Sequence, residues 1–297
     1  MTRAASLVMG TVRAEPTLWE RYIERGGWTF DTARHYGDAS EGALGALVKR
    51  HGARERLVLI GKGAHTPSCA PEHVAPQLER SLELLRTGYL DIYLLHRDNP
   101  LVPIEEWIDA LEPHVASGRV RALGASNWTT ERYEAYNRAA SAKSAMEFSV
   151  LSNQLSLAES VTPVWDGCLA ADQMWHERTQ TPLLAWSAQA RGFFAGRTED
   201  EELRRAWLSS TNLERRRRAQ TLGERHCAPA VSIALAWLLA RPFPIHAVVG
   251  PRNVAELDAC LRALDVSLSD EEVRWLTFDP TNPVTDFNCA DPRSIRH

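Results

Sequence analysis

Short apolar runs alternate along this chain with longer stretches whose apolar residues recur at helical spacing, a pattern that predicts an α/β fold with parallel strands. The runs place strands near 6–10, 28–31, 57–61, 90–95, 120–124, 145–149, 182–186 and 245–249. The periodic stretches place helices near 17–25, 39–51, 71–86, 104–117, 129–140, 161–178, 200–226 and 253–264. A further stretch, 229–240, opens with Pro229 at a first helical position and is apolar nearly all round, so it is expected to be buried. Eight such strands close a (β/α)8 TIM barrel, and 297 residues suit one barrel, expected as a single domain over 1–297.

Several boundaries are legible. Ser40 is expected to open the 39–51 helix, with Glu41 complementing its positive end and Gly52 closing it in a left-handed cap. Pro103 and Gly118 bracket the 104–117 helix. No low-complexity linker interrupts the pattern. Weak order is expected at 68–71, at 192–201 and in a C-terminal tail over 279–297.

Composition narrows the class. Hydrophobic residues make up 44% and charged residues 24%, as expected for a globular protein, and the net charge of −4 offers no basic field for nucleic acid. The run Arg215-Arg216-Arg217-Arg218 follows Glu214 in a helical stretch and is read as a solvated face. Cys69, Cys168, Cys227, Cys260 and Cys289 are odd in number and far apart, which favours reduced thiols in a cytoplasm over disulfides or a zinc site. The N-terminal residues lack the apolar core of a signal peptide, and no apolar run approaches the ~20 residues of a membrane span.

The candidate chemistry sits at the ends of the apolar runs. Asp31 ends the second, Lys62 the third and His96 the fourth, and Tyr36 follows Asp31 in its loop. A phenol is a useful acid near neutrality only if its pKa of about 10 is lowered. A neighbouring ammonium can do this, and a carboxylate can hold that ammonium in place. Other readings exist for each residue. Asp31 could cap a helix, Tyr36 could be a surface tyrosine, His96 could be a satisfied core histidine, and Lys62 between glycines could suggest a phosphate loop. No helix start with Ser or Thr follows Lys62, which argues against the last.

The run Gly26-Gly27-Trp28-Thr29-Phe30-Asp31-Thr32-Ala33-Arg34-His35-Tyr36-Gly37 resembles a signature of the aldo-keto reductases. So do Ser81-Leu82-Glu83-Leu84-Leu85-Arg86-Thr87-Gly88-Tyr89-Leu90-Asp91-Ile92-Tyr93-Leu94-Leu95-His96, Gly124-Ala125-Ser126-Asn127 and Trp186-Ser187. The resemblance runs from about Leu7 to Trp275. It implies Tyr36 as general acid to a carbonyl oxygen, Lys62 and Asp31 as its tuners, and His96 as orienter of the substrate carbonyl. It also implies a nicotinamide cofactor, with Ser126, Asn127 and Gln154 on the carboxamide, Trp186 stacked on the ring and Ser187 at the pyrophosphate. Ser126 and Asn127 could equally cap the following helix, and Trp186 could belong to the barrel core. No Gly-x-Gly-x-x-Gly Rossmann fingerprint is present.

The segment from Val249 to Leu257 is similar to the family's adenosine-phosphate site, with Gly250 in a turn that opens a helix and Arg252 placed for a 2′-phosphate. NADP is therefore favoured, with NAD possible. Glu256 stands where the family often has Gln or Arg, Ala259-Cys260 where a Glu-Asn pair is usual, and Ala188-Gln189 where Pro-Leu is common. The family's usual N-terminal hairpin plug also finds little room, because Leu7-Val8-Met9-Gly10 already reads as the first strand.

Arg97, Asp98 and Trp128 are the candidate substrate residues. Charged groups beside an indole suit a polar or sugar-like carbonyl, although Arg97 and Asp98 could instead bridge each other. The expected partner is thus a small carbonyl compound, with neither nucleic acid nor membrane. Two other functions remain open. His35, His65 and His96 with Asp31 could be imagined as metal ligands of a hydrolase on the same barrel, but there is no His-x-His pair and Lys62 would repel a cation, so no metal site is expected. The chain could also bind its cofactor as a regulatory protein with little turnover.

Overall fold

Eight parallel strands close into a barrel in the order β1 to β8 in this computed structural model, which describes residues 6–52, 54–197 and 200–278. The strands are β1 (Leu7–Gly10), β2 (Thr29–Asp31), β3 (Val58–Gly63), β4 (Ile92–Leu95), β5 (Leu123–Ser126), β6 (Phe148–Ser152), β7 (Leu183–Ala185) and β8 (Ile245–Val249). Closure comes from β1 pairing with both β2 and β8, for example Met9 with Phe30 and Val8 with Val248. The (β/α)8 architecture expected from the alternation is the one observed.

The helices are α1 (Pro16–Glu24), α2 (Asp38–His51), α3 (Val74–Leu85), α4 (Ile104–Ala116), α5 (Thr130–Ala142), α6 (Gln173–Thr179), α7 (Glu201–Trp207), α8 (Ser210–Arg225), α9 (Ala230–Leu239), α10 (Val254–Arg262) and α11 (Asp270–Thr277). Among the described residues, no helix is long and apolar enough to cross a membrane. The α9 helix is buried from Val231 to Leu238, as its unbroken apolar sequence predicts.

The period-2 alternation of the strands sorts their side chains into two cores. Val8, Ile60, Leu94, Val150 and Leu184 pack together inside the barrel. Their strand neighbours face outward: Phe30, Leu59, Tyr93, Leu95, Leu123 and Ala125 pack against the helices. The same parity carries functional side chains inward at the upper strand ends. Lys62 shares the face of Ile60, His96 that of Leu94, Ser152 that of Val150, and Trp186 that of Leu184.

Three sequence expectations about the helices are corrected. The 161–178 stretch is helical only over α6, because Asp172 caps it there by accepting from Trp175 N at 3.0 Å, and Pro163 and Gly167 lie upstream. The 200–226 stretch breaks into α7 and α8 at Ser209, whose hydroxyl accepts from Asn212 N at 3.1 Å. Ser40 does not open its helix. The helix starts at Asp38, and Ser40 donates to Thr11 O at 2.6 Å instead. Gly52 does adopt the left-handed cap, at φ 59°.

The arginine run is only half solvated. Arg215 and Arg218 are buried. Arg215 donates to Thr277 O and Phe278 O, and Arg218 donates to Trp275 O, so the two hold the end of α11. That helix was missed in the sequence, although Ser269 and Glu272 form a full capping box that marks its start. Residues 1–5 and 279–297, where the plug and tail expectations fall, lie outside the described residues.

Candidate active site

A cleft of ≈ 1050 Å³ opens at the end of the barrel where the strands finish, the face on which this fold builds its sites. Asp31, Tyr36, Lys62 and His96 all line it. Asp31 and Lys62 come straight off β2 and β3. Tyr36 comes from a short turn, Arg34–Tyr36, which is held against α2 because Arg34 pairs with Asp38 and the buried Glu41. Gly37 follows at φ 92°, a conformation that favours glycine.

Lys62 Nζ donates to Asp31 at 2.5 Å and to Thr32 O at 3.0 Å, and sits 5.0 Å from the centre of the Tyr36 ring. Both members of the pair are almost wholly buried. Burial pulls the Lys62 ammonium down, but Asp31 and Tyr36 outweigh it and hold the group above its ordinary value. Burial pushes the Asp31 carboxyl up while Lys62 opposes. The Tyr36 phenol is raised, chiefly by burial, with Lys62 pulling the other way. This corrects the expectation of a net lowering: the ammonium limits the rise without reversing it, and the phenol keeps its proton at neutral pH.

His96 lies edge-on to Tyr36 with ring centroids 6.0 Å apart. Burial first, then Lys62, His65, Arg97 and His35, hold its imidazole well below its usual pKa, so the ring is neutral. Its Nδ1 is buried without a hydrogen-bond partner. His35 and His65, which stack at 3.7 Å between centroids, complete an imidazole cluster around it that the sequence reading treated only as an unlikely ligand set. No group of three metal-ligating side chains occurs among the described residues.

The other arm of the cleft is built from Ser126, Asn127, Trp186, Ser187, Gly250, Arg252 and Glu256, all of which line it. Asn127 and Ser187 hold positive φ, 56° and 51°, without being glycine. Such backbone costs about 1–3 kcal/mol per residue and persists where surrounding contacts impose it. At Asn127 those contacts are its N–H to Ser152 O and to Asn153 Oδ1. Asn153, which sequence reasoning missed, also donates to Trp128 O and so fixes this corner from behind. Ser126 and Asn127 do not cap α5; Thr129 does.

A dinucleotide fits this arm. Trp186 offers an aromatic face, with Trp165 at 6.0 Å beyond it, and its indole Nε1 is buried without a partner. A Cβ on Gly250 would meet nothing within 4 Å, so the backbone there is open to a ligand. The turn leads into α10, where Asn253 caps the helix. Glu256 pairs with Arg197 and accepts from Arg252 N at 2.9 Å, so its carboxylate is already compensated. Arg191 and Arg197, both missed in the sequence and the second within the 192–201 stretch expected to be weakly ordered, join Arg252 in lining this end. Two departures from the family pattern meet here: Gln189 Nε2 donates to Cys260 Sγ at 3.1 Å.

Three named candidates lie elsewhere. Trp128 is fully buried and packs against Trp107, Tyr136 and Phe148, so it is core and no part of the substrate pocket. Asp98 bonds Arg132 at 3.1 Å and bridges neither to Arg97 nor into the cleft. Gln154 does not line the cleft; its backbone bridges Ala170 and Trp186, and its amide donates to Ser156 at 3.1 Å. Arg97 does line the cleft.

The aldo/keto reductase family model matches residues 13–277. An uncharacterized oxidoreductase of Bacillus subtilis, YcsN, is 29% identical over 86% of this chain and 84% of its own length. The 6-dehydroglucose reductase of Agrobacterium fabrum is 27% identical over 84% of this chain and 82% of its own. The crystal structure of the thermostable aldo-keto reductase Tm1743 with the inhibitor epalrestat superposes with a TM-score of 0.73 at 27% identity, covering 92% of this chain and 94% of that one. With the closed barrel and a family match over most of its length, this chain belongs to the aldo/keto reductase family of NAD(P)-dependent oxidoreductases.

Proposed function

We propose that this protein reduces a small polar aldehyde or ketone to its alcohol with NADPH, using Tyr36 as the proton donor. The observation that carries this reading is the buried Asp31–Lys62 pair set beneath the Tyr36 ring at the mouth of the barrel. Tyr36 holds its proton in the resting site and gives it to the carbonyl oxygen as negative charge develops there. The Lys62 ammonium, fixed by Asp31 and Thr32 O, stabilises the phenolate that remains. His96, as a neutral imidazole, donates a hydrogen bond to the same oxygen and orients it. The phenol carries its proton near neutral pH, the form a proton donor needs.

The cofactor supplies the hydride. Trp186 would support its ring, Ser126 and Asn127 its carboxamide, and Ser187 its pyrophosphate. Arg252 and Arg197 would hold the 2′-phosphate that distinguishes NADP from NAD, since Glu256 is paired and does not repel it. The name of the Agrobacterium relative, a dehydroglucose reductase, agrees with a polar carbonyl substrate.

The test is a panel of aldehydes and keto-sugars assayed separately with NADPH and NADH. Carbonyl-dependent oxidation, faster with NADPH, is expected. Tight cofactor binding with no turnover across the panel would favour a regulatory binding protein instead.

A further inference from the structure

Arg97 is a buried cation lining the cleft, and among the described residues it has no ion-pair partner. It directly follows His96 at the end of β4 and is buried, with 8% of its surface exposed. Its two hydrogen bonds are weak for a guanidinium: Nη1 to Gly167 O at 3.4 Å and Nη2 to Cys168 Sγ at 3.3 Å. Its Nε is buried with no partner. No ion pair reaches it among the described residues, and its nearest neighbour in sequence, Asp98, is taken by Arg132. Buried arginines are ordinarily paired, because an uncompensated buried charge is costly. A fold can retain such a group where a ligand brings the counter-charge.

The guanidinium also faces the chemistry. It lines the same cleft as Tyr36, His65 and His96, and its charge works against the protonated form of each, a minor contribution beside burial. Lys62 is neutralised by Asp31, so Arg97 is the cation left to meet a ligand at this end. Its planar fork of N–H donors suits the two oxygens of a carboxylate or phosphate. Resting on the reductase reading above, we propose that the substrate is a short aldehyde or ketone bearing an anionic group, which Arg97 binds while the carbonyl sits at Tyr36.

The experiment compares matched probes on wild type, Arg97→Met and Arg97→Lys. Succinic semialdehyde is paired with its neutral methyl ester, and glyceraldehyde 3-phosphate with glyceraldehyde. The first pair reports a carboxylate site and the second a phosphate site. In wild type, kcat/KM for the anionic member of at least one pair should exceed that of the neutral member by about 10-fold or more. In Arg97→Met that ratio should fall toward one, a loss of about 10–100-fold for a charge-assisted hydrogen bond, and Arg97→Lys should restore part of it. Calorimetric binding of succinate and of inorganic phosphate, in wild type and Arg97→Met, reads the same site without turnover. Anion binding lost in Arg97→Met but no reduction of any aldehyde would sink the reductase reading and leave the anion site standing. Equal turnover of anionic and neutral probes, with no anion binding, would overturn the anion site and leave the reductase.

Discussion

At the scale of single residues, charge compensation decides the roles. Glu256 on its own would repel a 2′-phosphate, yet it is held by Arg197 and by the backbone of Arg252. Arg191, Arg197 and Arg252 line this end, the first two paired with carboxylates, so the Glu256 charge is already answered before a phosphate arrives. Arg252→Ala should weaken NADPH binding by about 10–100-fold, the value of a charge-assisted hydrogen bond of roughly 1.5–3 kcal/mol, and NADH binding far less. Fluorescence titration with each cofactor checks it, and equal losses would move Arg252 away from the phosphate. Most of the site was legible at this scale, because Asp31, Lys62, His96, Ser126, Trp186 and Arg252 all fall at strand ends or in short turns after them. Trp128 and Asp98 were misplaced because sequence adjacency to a site residue says nothing of which way a side chain points. Trp128 turns away from Asn127 into an aromatic cluster, and Asp98 turns away from Arg97 toward α5.

At the scale of elements, capping explains what periodicity alone could not. Apolar spacing runs through 200–226 and through 161–178, but Ser209 and Asp172 each satisfy the first N–H groups of a new helix and set the true starts. Arg191 and Arg197 were invisible for a related reason. Their loop has no period, and their partners lie outside any helical spacing, Glu256 far along the chain for Arg197 and Asp200 and Glu202 across the loop for Arg191. The α6 helix offers a pH test away from the cleft. His176 is fully buried, its Nδ1 meets Thr181 O at 2.8 Å and its Nε2 has no partner. Burial lowers its pKa, with the Thr181 carbonyl opposing. A depressed folded pKa gives stability that is present above the unfolded value of about 6.5 and lost as pH falls below it, at up to about 1.4 kcal/mol per pH unit. The stability gap between wild type and His176→Gln should therefore narrow from pH 7.5 to pH 5. Denaturant midpoints measure it, and a constant gap would mean that His176 takes up its proton as readily folded as unfolded.

At the scale of the whole molecule, strand parity joins fold to function. The residues that fill the barrel, Ile60, Leu94, Val150 and Leu184, continue two positions on into Lys62, His96, Ser152 and Trp186. The packed core thus ends in the floor of the cleft, and the rigid barrel fixes where each polar group points. The central claim is that this floor positions Tyr36 to give its proton to a carbonyl. Tyr36→Phe removes that proton and little else, since Asp31 and Lys62 hold each other without it. The direct measurement is kcat/KM of wild type and Tyr36→Phe with NADPH and the best aldehyde of the panel, alongside NADPH affinity by titration. The account predicts affinity within a few-fold and turnover reduced by about 10²–10⁴. Turnover within a few-fold of wild type would contradict it.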